Sequence, residues 1–220
     1  MVIKGLKQTV EFACGEIKDV KMRVAKVEKS VEKLNLKKEK KLNILINNAG
    51  VMVCPYGKTA ENFQMQESTS NLPIKSFQSP LSRLLGHFLL THLLIDLIKR
   101  STPARIINVS SLAHFWGTIN LDDINSETGY DKKKAYSHIK LANVLFTRSL
   151  AKRLQGTAVT AYSLHPGVVQ TDLWRHLNAP QAAIMKMISP FIKTSVQGAQ
   201  TTIYCAVDPE LETESGGCYR

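Results

Sequence analysis

The chain is sparing with the residues that build stapled or metal-held folds. Its four cysteines, Cys14, Cys54, Cys205 and Cys218, are scattered over 220 residues without a CxxC or a His pair at ligand spacing. A disulfide framework and a zinc site are thereby excluded, and a reducing compartment is expected. Long apolar runs are also lacking. The most apolar stretch, Phe88 to Ile98, is broken by His92 and Asp96 and is too short to span a bilayer. Met1 is followed by a mixed, Lys-rich segment rather than an apolar signal region. Glycine is scarce where a phosphate cradle would need it: Gly5 and Gly15 stand alone ahead of residue 41, with no clustered GxGxxG-like set. What remains is ordinary globular composition, 44% apolar and 21% charged, which rules out wholesale disorder.

The net charge of +11 is unevenly placed. Residues 1–41 hold twelve Lys/Arg against six Asp/Glu, while residues 42–220 hold seventeen against twelve. The first fifth of the chain therefore carries about half of the excess, and the two parts read differently. In the first, Ile3, Val10, Ile17, Val24 and Val31 recur every seven residues, with Leu6, Ala13, Val20, Val27 and Leu34 offset by three. Ten apolar a and d positions in succession form a coiled-coil seam. In a parallel pair Glu16 would face Lys21 and Arg23 would face Glu28. The expectation is a heptad helix over 1–40 that self-associates through residues 3–34; a single amphipathic helix packed on its own domain is the alternative. No RNA-recognition motif or aromatic stacking platform accompanies the basic segment, so no nucleic-acid partner is expected. The stretch "VEFACGEIKDVKMRVAKVEKSVEK" resembles the coiled-coil leader of retrotransposon first-open-reading-frame proteins.

From Lys41 the texture changes to short apolar strands alternating with helices. "LNILINNAG" (42–50), "ARIINVSS" (104–111) and "AVTAYSLHPG" (158–167) read as strands. "GHFLLTHLLIDLIKR" (86–100), "KAYSHIKLANVLFTRSLAKRL" (134–154) and "VQGAQTTIYCAV" (196–207) read as helices. Ala135, Ile139, Val144, Leu145 and Leu150 are among the apolar positions of the second helix. Strand–helix alternation predicts βαβ units, a parallel sheet and an α/β fold. Functional groups in such sheets gather at the carboxyl ends of the strands. The three strands end there in NNAG, NVSS and HPG.

Two YxxxK matches occur, Tyr130–Lys134 and Tyr136–Lys140, and the pattern alone arises easily by chance with six tyrosines in a Lys-rich chain. Only the second leads into the helical "LANVLF". Residues four apart on a helix share a face, so Tyr136 and Lys140 can act on one substrate, whereas Tyr130 in "ETGYDKKK" reads as a surface residue. A free tyrosine, with a pKa of about 10, is a poor base near neutrality, and an adjacent ammonium lowers that value. No metal site is expected.

These signatures, with "LINNAGVMVCPYGKTAENFQM", "GHFLLTHLL", "ARIINVSSLAH", "AYSHIKLANVLFTRSLAKRLQG" and "YSLHPGVVQTDL", resemble the short-chain dehydrogenase/reductase family and its retinol dehydrogenase-like branch. The resemblance implies a partial Rossmann-like, doubly wound parallel sheet over 41–220, preceded by the N-terminal coiled-coil-type helix. It implies an oxidoreductase that interconverts a lipophilic alcohol and its aldehyde or ketone, a retinoid or other aldehyde, with NADP(H) or else NAD(H). Tyr136 would be the acid/base, and Lys140 would also hold the nicotinamide ribose. Ser111, twenty-five residues before Tyr136, would bond the reacting oxygen, with Ser110 as its fallback. Asn47, Asn48, Ala49 and Gly50 would brace the sheet or lie beside the adenosine. Pro166, Gly167 and Thr171 would face the nicotinamide amide. His114, His138 and His165 are read as bystanders.

The sequence departs from that family in three places. The glycine-rich TGxxxGIG turn is absent, with the strand and helix it joins, so the usual pyrophosphate anchor is missing. Arg83 stands where the relay Asn is expected, within a polar insert at 67–84. The chain also stops at "ESGGCYR", shortly before the family's last strand would be complete. The NNAG strand would then be an unprotected sheet edge. These departures support a second expectation, a catalytically impaired or inactive remnant acting as a coiled-coil interaction protein. A cytoplasmic location is expected, with association with the endoplasmic reticulum membrane, as in the relatives, as the alternative.

Overall fold

The computed structural model describes residues 40–50, 80–120, 129–171 and 192–220, together with Pro180 and Met187. The chain divides into two units, Met1–Lys40 and Lys41–Arg220. The heptad segment and the proposed self-association through 3–34 lie outside the described residues. So do residues 67–79 of the polar insert and the side chain of Arg83.

In the second unit β1 (Ile44–Asn47), β2 (Ala104–Val109), β3 (Val159–Leu164) and β4 (Cys218–Tyr219) form one sheet in the order β1-β2-β3-β4. Every pairing is parallel, with Ile46 opposite Ile107, Ile107 opposite Tyr162 and Ser163 opposite Cys218. Among the described residues three long helices accompany the sheet: α1 (Pro80–Arg100), α2 (Lys132–Arg153) and α3 (Ser195–Val207). The architecture is α/β, as the strand–helix alternation predicts.

β2 and β3 are buried on both faces, which is why "ARIINV" and "VTAYSL" read as near-continuous apolar runs. Alternation assigns the faces. Ile107, Val109, Tyr162 and Leu164 pack with Cys205, Ala206 and Leu211 in the core beneath α3. Asn108, between Ile107 and Val109, points the other way and reaches Thr147 of α2. Helices therefore cover both faces of the sheet. Burial in the α3-side core raises the Cys205 thiol pKa to about 11, so that thiol is a packing group.

Local chemistry sets the helix ends. Asp131 caps α2, its Oδ1 accepting from the backbone N–H of Lys133 at 2.7 Å and of Lys134 at 3.0 Å. Thr194 and Gln197 form a reciprocal capping box at the start of α3. α1 begins at Pro80, inside the stretch read as an insert, because proline suits the first helical position, where its missing N–H is no loss. α2 likewise starts two residues earlier than expected, at its Asp131 cap.

β1 is less buried than its apolar composition alone suggests. Ile44 is 39% exposed and Ile46 44%, and among the described residues β1 pairs only with β2. Among the described residues it is therefore a sheet edge, as the absent glycine-turn unit predicts. Leu145, counted among the apolar positions of α2, is 45% exposed and faces outward. Cys218–Tyr219 adds a short fourth strand that the apolar pattern did not reveal; two residues are too few to show a period.

Candidate active site

Tyr136 and Lys140 lie on the second and third turns of α2, and both are buried, at 9% and 8% exposure. The Lys140 ammonium stands 5.7 Å from the centre of the Tyr136 ring. It donates to the carbonyl of Val109, the last residue of β2, at 3.0 Å. A lysine is buried at little cost only with such partners. The competing pair separates cleanly, since Tyr130 precedes the helix and Lys134 is exposed on it, so the two share no helical face. Tyr130 itself is half-buried rather than a fully exposed surface residue.

Ser110 and Ser111 follow β2 and take different tasks. The Ser110 hydroxyl is buried and donates to the backbone carbonyl of Lys140 at 2.7 Å. That bond staples the strand end to α2. Ser111 is half-buried and caps the 3-10 turn Leu112–Trp116, its Oγ accepting from the Ala113 N–H at 3.3 Å. The amide uses a lone pair of that oxygen and leaves its O–H for another acceptor. Gly117 closes the turn against α2. A Cβ there would lie 2.5 Å from the Ser137 carbonyl and 2.8 Å from Leu141 Cβ, so only glycine lets the turn approach.

The other predicted residues ring the same carboxyl end of the sheet. Asn48, Ala49 and Gly50 follow β1 and are exposed, and a Cβ on Gly50 would sit 3.8 Å from the Lys140 ammonium. Asn47 is buried and braces the sheet, donating to Thr91 of α1 at 3.0 Å and to Asn108 at 2.7 Å. Gly167 follows β3 with φ +84, in the left-handed region, beside the Lys193 side chain. The Lys193 ammonium donates to the Pro166 carbonyl at 3.3 Å. Thr171 lies farther along, exposed in a bend.

The histidines border the site. His114 Nδ1 lies 2.6 Å from the Ser111 carbonyl, and its ring centre is 6.3 Å from that of His165. His165 Nδ1 is buried without a hydrogen-bond partner. Burial first, then the neighbouring His114, Arg220 and Lys193, holds the His165 pKa below the ordinary histidine value. Burial likewise lowers that of His138, which contacts the Thr118 hydroxyl at 3.2 Å. Beside Ser111 the turn presents an apolar rim. Phe115 and Trp116 are each 70% exposed, and Leu112 is 43% exposed.

Four polar residues absent from the sequence reading hold this constellation. Asn143 Nδ2 donates to the Val109 carbonyl at 3.1 Å, the same oxygen that Lys140 uses. Thr147 donates to the Asn143 carbonyl and therefore accepts from Asn108 Nδ2 at 2.8 Å. That orients the Asn108 amide so that its oxygen accepts from Asn47, and Thr91, which donates to the His87 carbonyl, accepts the other Asn47 N–H. A polar Asn108 inside "ARIINV" and the 140/143/147 spacing on one helix face were the available signals.

Among the described residues no three His, Cys, Asp or Glu side chains gather to hold a metal ion. Among them, too, no helix is long and apolar enough to cross a membrane.

Known proteins supply an independent comparison. A profile of the family described as short chain dehydrogenase matches residues 2–182. Human retinol dehydrogenase 12 is 51% identical over 181 residues, covering 82% of this chain and 53% of that protein. Human retinol dehydrogenase 14 is 49% identical over 184 residues, covering 82% of this chain and 51% of that protein. The chain thus spans about half the length of these curated relatives. Salutaridine reductase from Papaver somniferum superposes with a TM-score of 0.59 at 20% identity, covering 89% of this chain and 78% of that one, a likeness of fold. With its parallel Rossmann-like sheet and these relatives, the chain belongs to the short-chain dehydrogenase/reductase family.

Proposed function

We propose that this chain is a retinol dehydrogenase-like oxidoreductase, interconverting a lipophilic alcohol and its aldehyde or ketone with NADP(H), or with NAD(H) in its place. The buried Tyr136–Lys140 pair at the carboxyl end of the sheet carries the reading. The residues present fit the nicotinamide half of such a cofactor. Gly50 brings bare backbone close to the Lys140 ammonium, where a Cβ would sit 3.8 Å away, and Gly167 takes a left-handed turn after β3 that a side chain would strain. Lys140 would hold the ribose hydroxyls, with Pro166, Gly167 and Thr171 toward the carboxamide and Asn48, Ala49 and Gly50 toward the adenosine side.

Bound there, the nicotinamide supplies or accepts the hydride. This chain's own residues manage the oxygen and its proton. Ser111 donates its free O–H to the reacting oxygen. Tyr136 takes the hydroxyl proton during oxidation and returns it during reduction, and a neighbouring ammonium favours the phenolate this requires. Phe115, Trp116 and Leu112 supply an apolar rim for a lipophilic substrate. Cys205 and Cys218 are free thiols, in keeping with a cytoplasmic location, with endoplasmic reticulum association as the alternative.

Calorimetric titration with NADPH, followed by an assay of retinal reduction, tests the reading. Binding below millimolar cofactor is the expected result; no binding at millimolar concentration overturns it. The sequence has no clustered glycine turn ahead of β1, and this favours a second reading: a non-catalytic protein that self-associates through residues 3–34. Sedimentation of the intact chain tests it, and a monomeric mass counts against that assembly.

A further inference from the structure

The Lys140 ammonium has three donors and spends one on the Val109 carbonyl, so any swing of the side chain toward a cofactor would draw it off that oxygen. A buried carbonyl stripped of its partner carries a desolvation penalty, and that penalty would oppose the movement of Lys140. Asn143 removes the obstacle. Its Nδ2 reaches the Val109 oxygen at 3.1 Å while Lys140 Nζ reaches it at 3.0 Å, and a carbonyl oxygen has two lone pairs. The orientation of the Asn143 amide is fixed by this contact, because the flipped form would set oxygen against oxygen.

We propose that Asn143 is a positioning residue for Lys140: by keeping the Val109 carbonyl bonded, it lowers the cost of turning the ammonium from that oxygen toward the cofactor. The proposal deepens the oxidoreductase reading and rests on it for the role of Lys140. Several features prepare Asn143 for the task. It is 2% exposed, and its own carbonyl is tied to Thr147, whose hydroxyl in turn is tied to Asn108. Its Oδ1 is buried without a partner, so the side chain spends its hydrogen-bonding capacity on Val109 at a cost that packing alone does not explain. The strand end stays in place when Lys140 moves, because Ser110 still bonds the Lys140 backbone carbonyl.

Trace acetylation of the cofactor-free chain tests this without requiring turnover. The labelling of Lys140 is read by mass spectrometry against the exposed Lys152 of the same molecule. In Asn143→Ala the Val109 carbonyl depends on Lys140 alone, so the ammonium is held more firmly and labels severalfold more slowly than in the wild type. A merely structural role for Asn143 would loosen the helix and speed labelling. Unchanged or faster labelling therefore overturns the proposal. Should Asn143→Ala not fold, Asn143→Ser, too short to reach Val109, gives the same readout. With NADPH, the dissociation constant weakens about tenfold in Asn143→Ala, on the scale of one hydrogen bond. In a Lys140→Met background the same change then adds nothing further. A wild type that binds no NADPH defeats the oxidoreductase reading, while the labelling result still decides the role of Asn143.

Discussion

Replacing Asn108 by leucine strikes the centre of the polar network between sheet and helices. Asn108 is 1% exposed and makes two side-chain bonds, accepting from Asn47 at 2.7 Å and donating to Thr147 at 2.8 Å. Leucine shares the branching of asparagine and is bulkier, so no cavity opens and the loss is chiefly polar. One N–H of Asn47, itself 2% exposed, is left without an acceptor, at a cost of about 1–3 kcal/mol. Thr147 keeps its bond to the Asn143 carbonyl and forfeits only an incoming donor, worth about 1 kcal/mol. The expected destabilisation is about 2–4 kcal/mol, a large share of the 5–15 kcal/mol typical of a domain. Equilibrium unfolding in urea reads it as a fall of about 1–2 M in midpoint, for a slope of about 2 kcal/mol per molar. Combining Asn108→Leu with Thr147→Val should cost less than the sum of the single changes, because the two side chains share a bond. A loss below about 0.5 kcal/mol, or strict additivity in the pair, would refute the network as drawn.

Other consequences follow from single contacts. A Cβ on Gly198 would fall 2.5 and 2.7 Å from the two methyl carbons of Val169, so Gly198→Ala should destabilise by about 1–3 kcal/mol in urea, and added Val169→Ala should recover part of it. Asp131→Ala removes the α2 cap and should cost about 1 kcal/mol. The backbone N–H groups of Lys134 and Lys133 depress the Asp131 pKa, so its contribution is present above the ordinary carboxylate pKa and disappears as pH falls through the depressed value. His165, also depressed, binds a proton more readily when unfolded. Stability should therefore fall as pH drops below about 6.5, and His165→Gln should flatten the melting temperature against pH over that window.

Much of the sheet was legible because β2 and β3 are buried on both faces and so carry unbroken apolar runs, while α2 carries its own cap at Asp131. The exposure of β1 follows from its place in the sheet rather than from its composition. "ILIN" has the composition of an interior strand, and composition does not report that only one neighbour pairs with it among the described residues. Ser111, Tyr136 and Lys140 could be picked out because their spacing and resemblance fix them before any contact is known. Asn143, Asn108 and Thr147 could not, since their importance lies in whom they bond across the fold. A helix or strand pattern shows which face a residue takes but not its partner. Ser110 illustrates the same limit. Beside Ser111 in sequence it is the fallback candidate, and its bond to the Lys140 carbonyl gives it a different task.

The central claim is that Tyr136 moves the proton in an alcohol–carbonyl interconversion while Lys140 and the strand-end turns hold the cofactor. Tyr136→Phe tests it most directly, with retinal-dependent NADPH oxidation and NADPH affinity measured on the same preparations. Loss of general acid–base catalysis should lower kcat by about 10²–10⁴-fold while the cofactor dissociation constant stays within about twofold. A phenylalanine variant that turns over as fast as the wild type, or a wild-type chain with no turnover at saturating cofactor, would contradict the account.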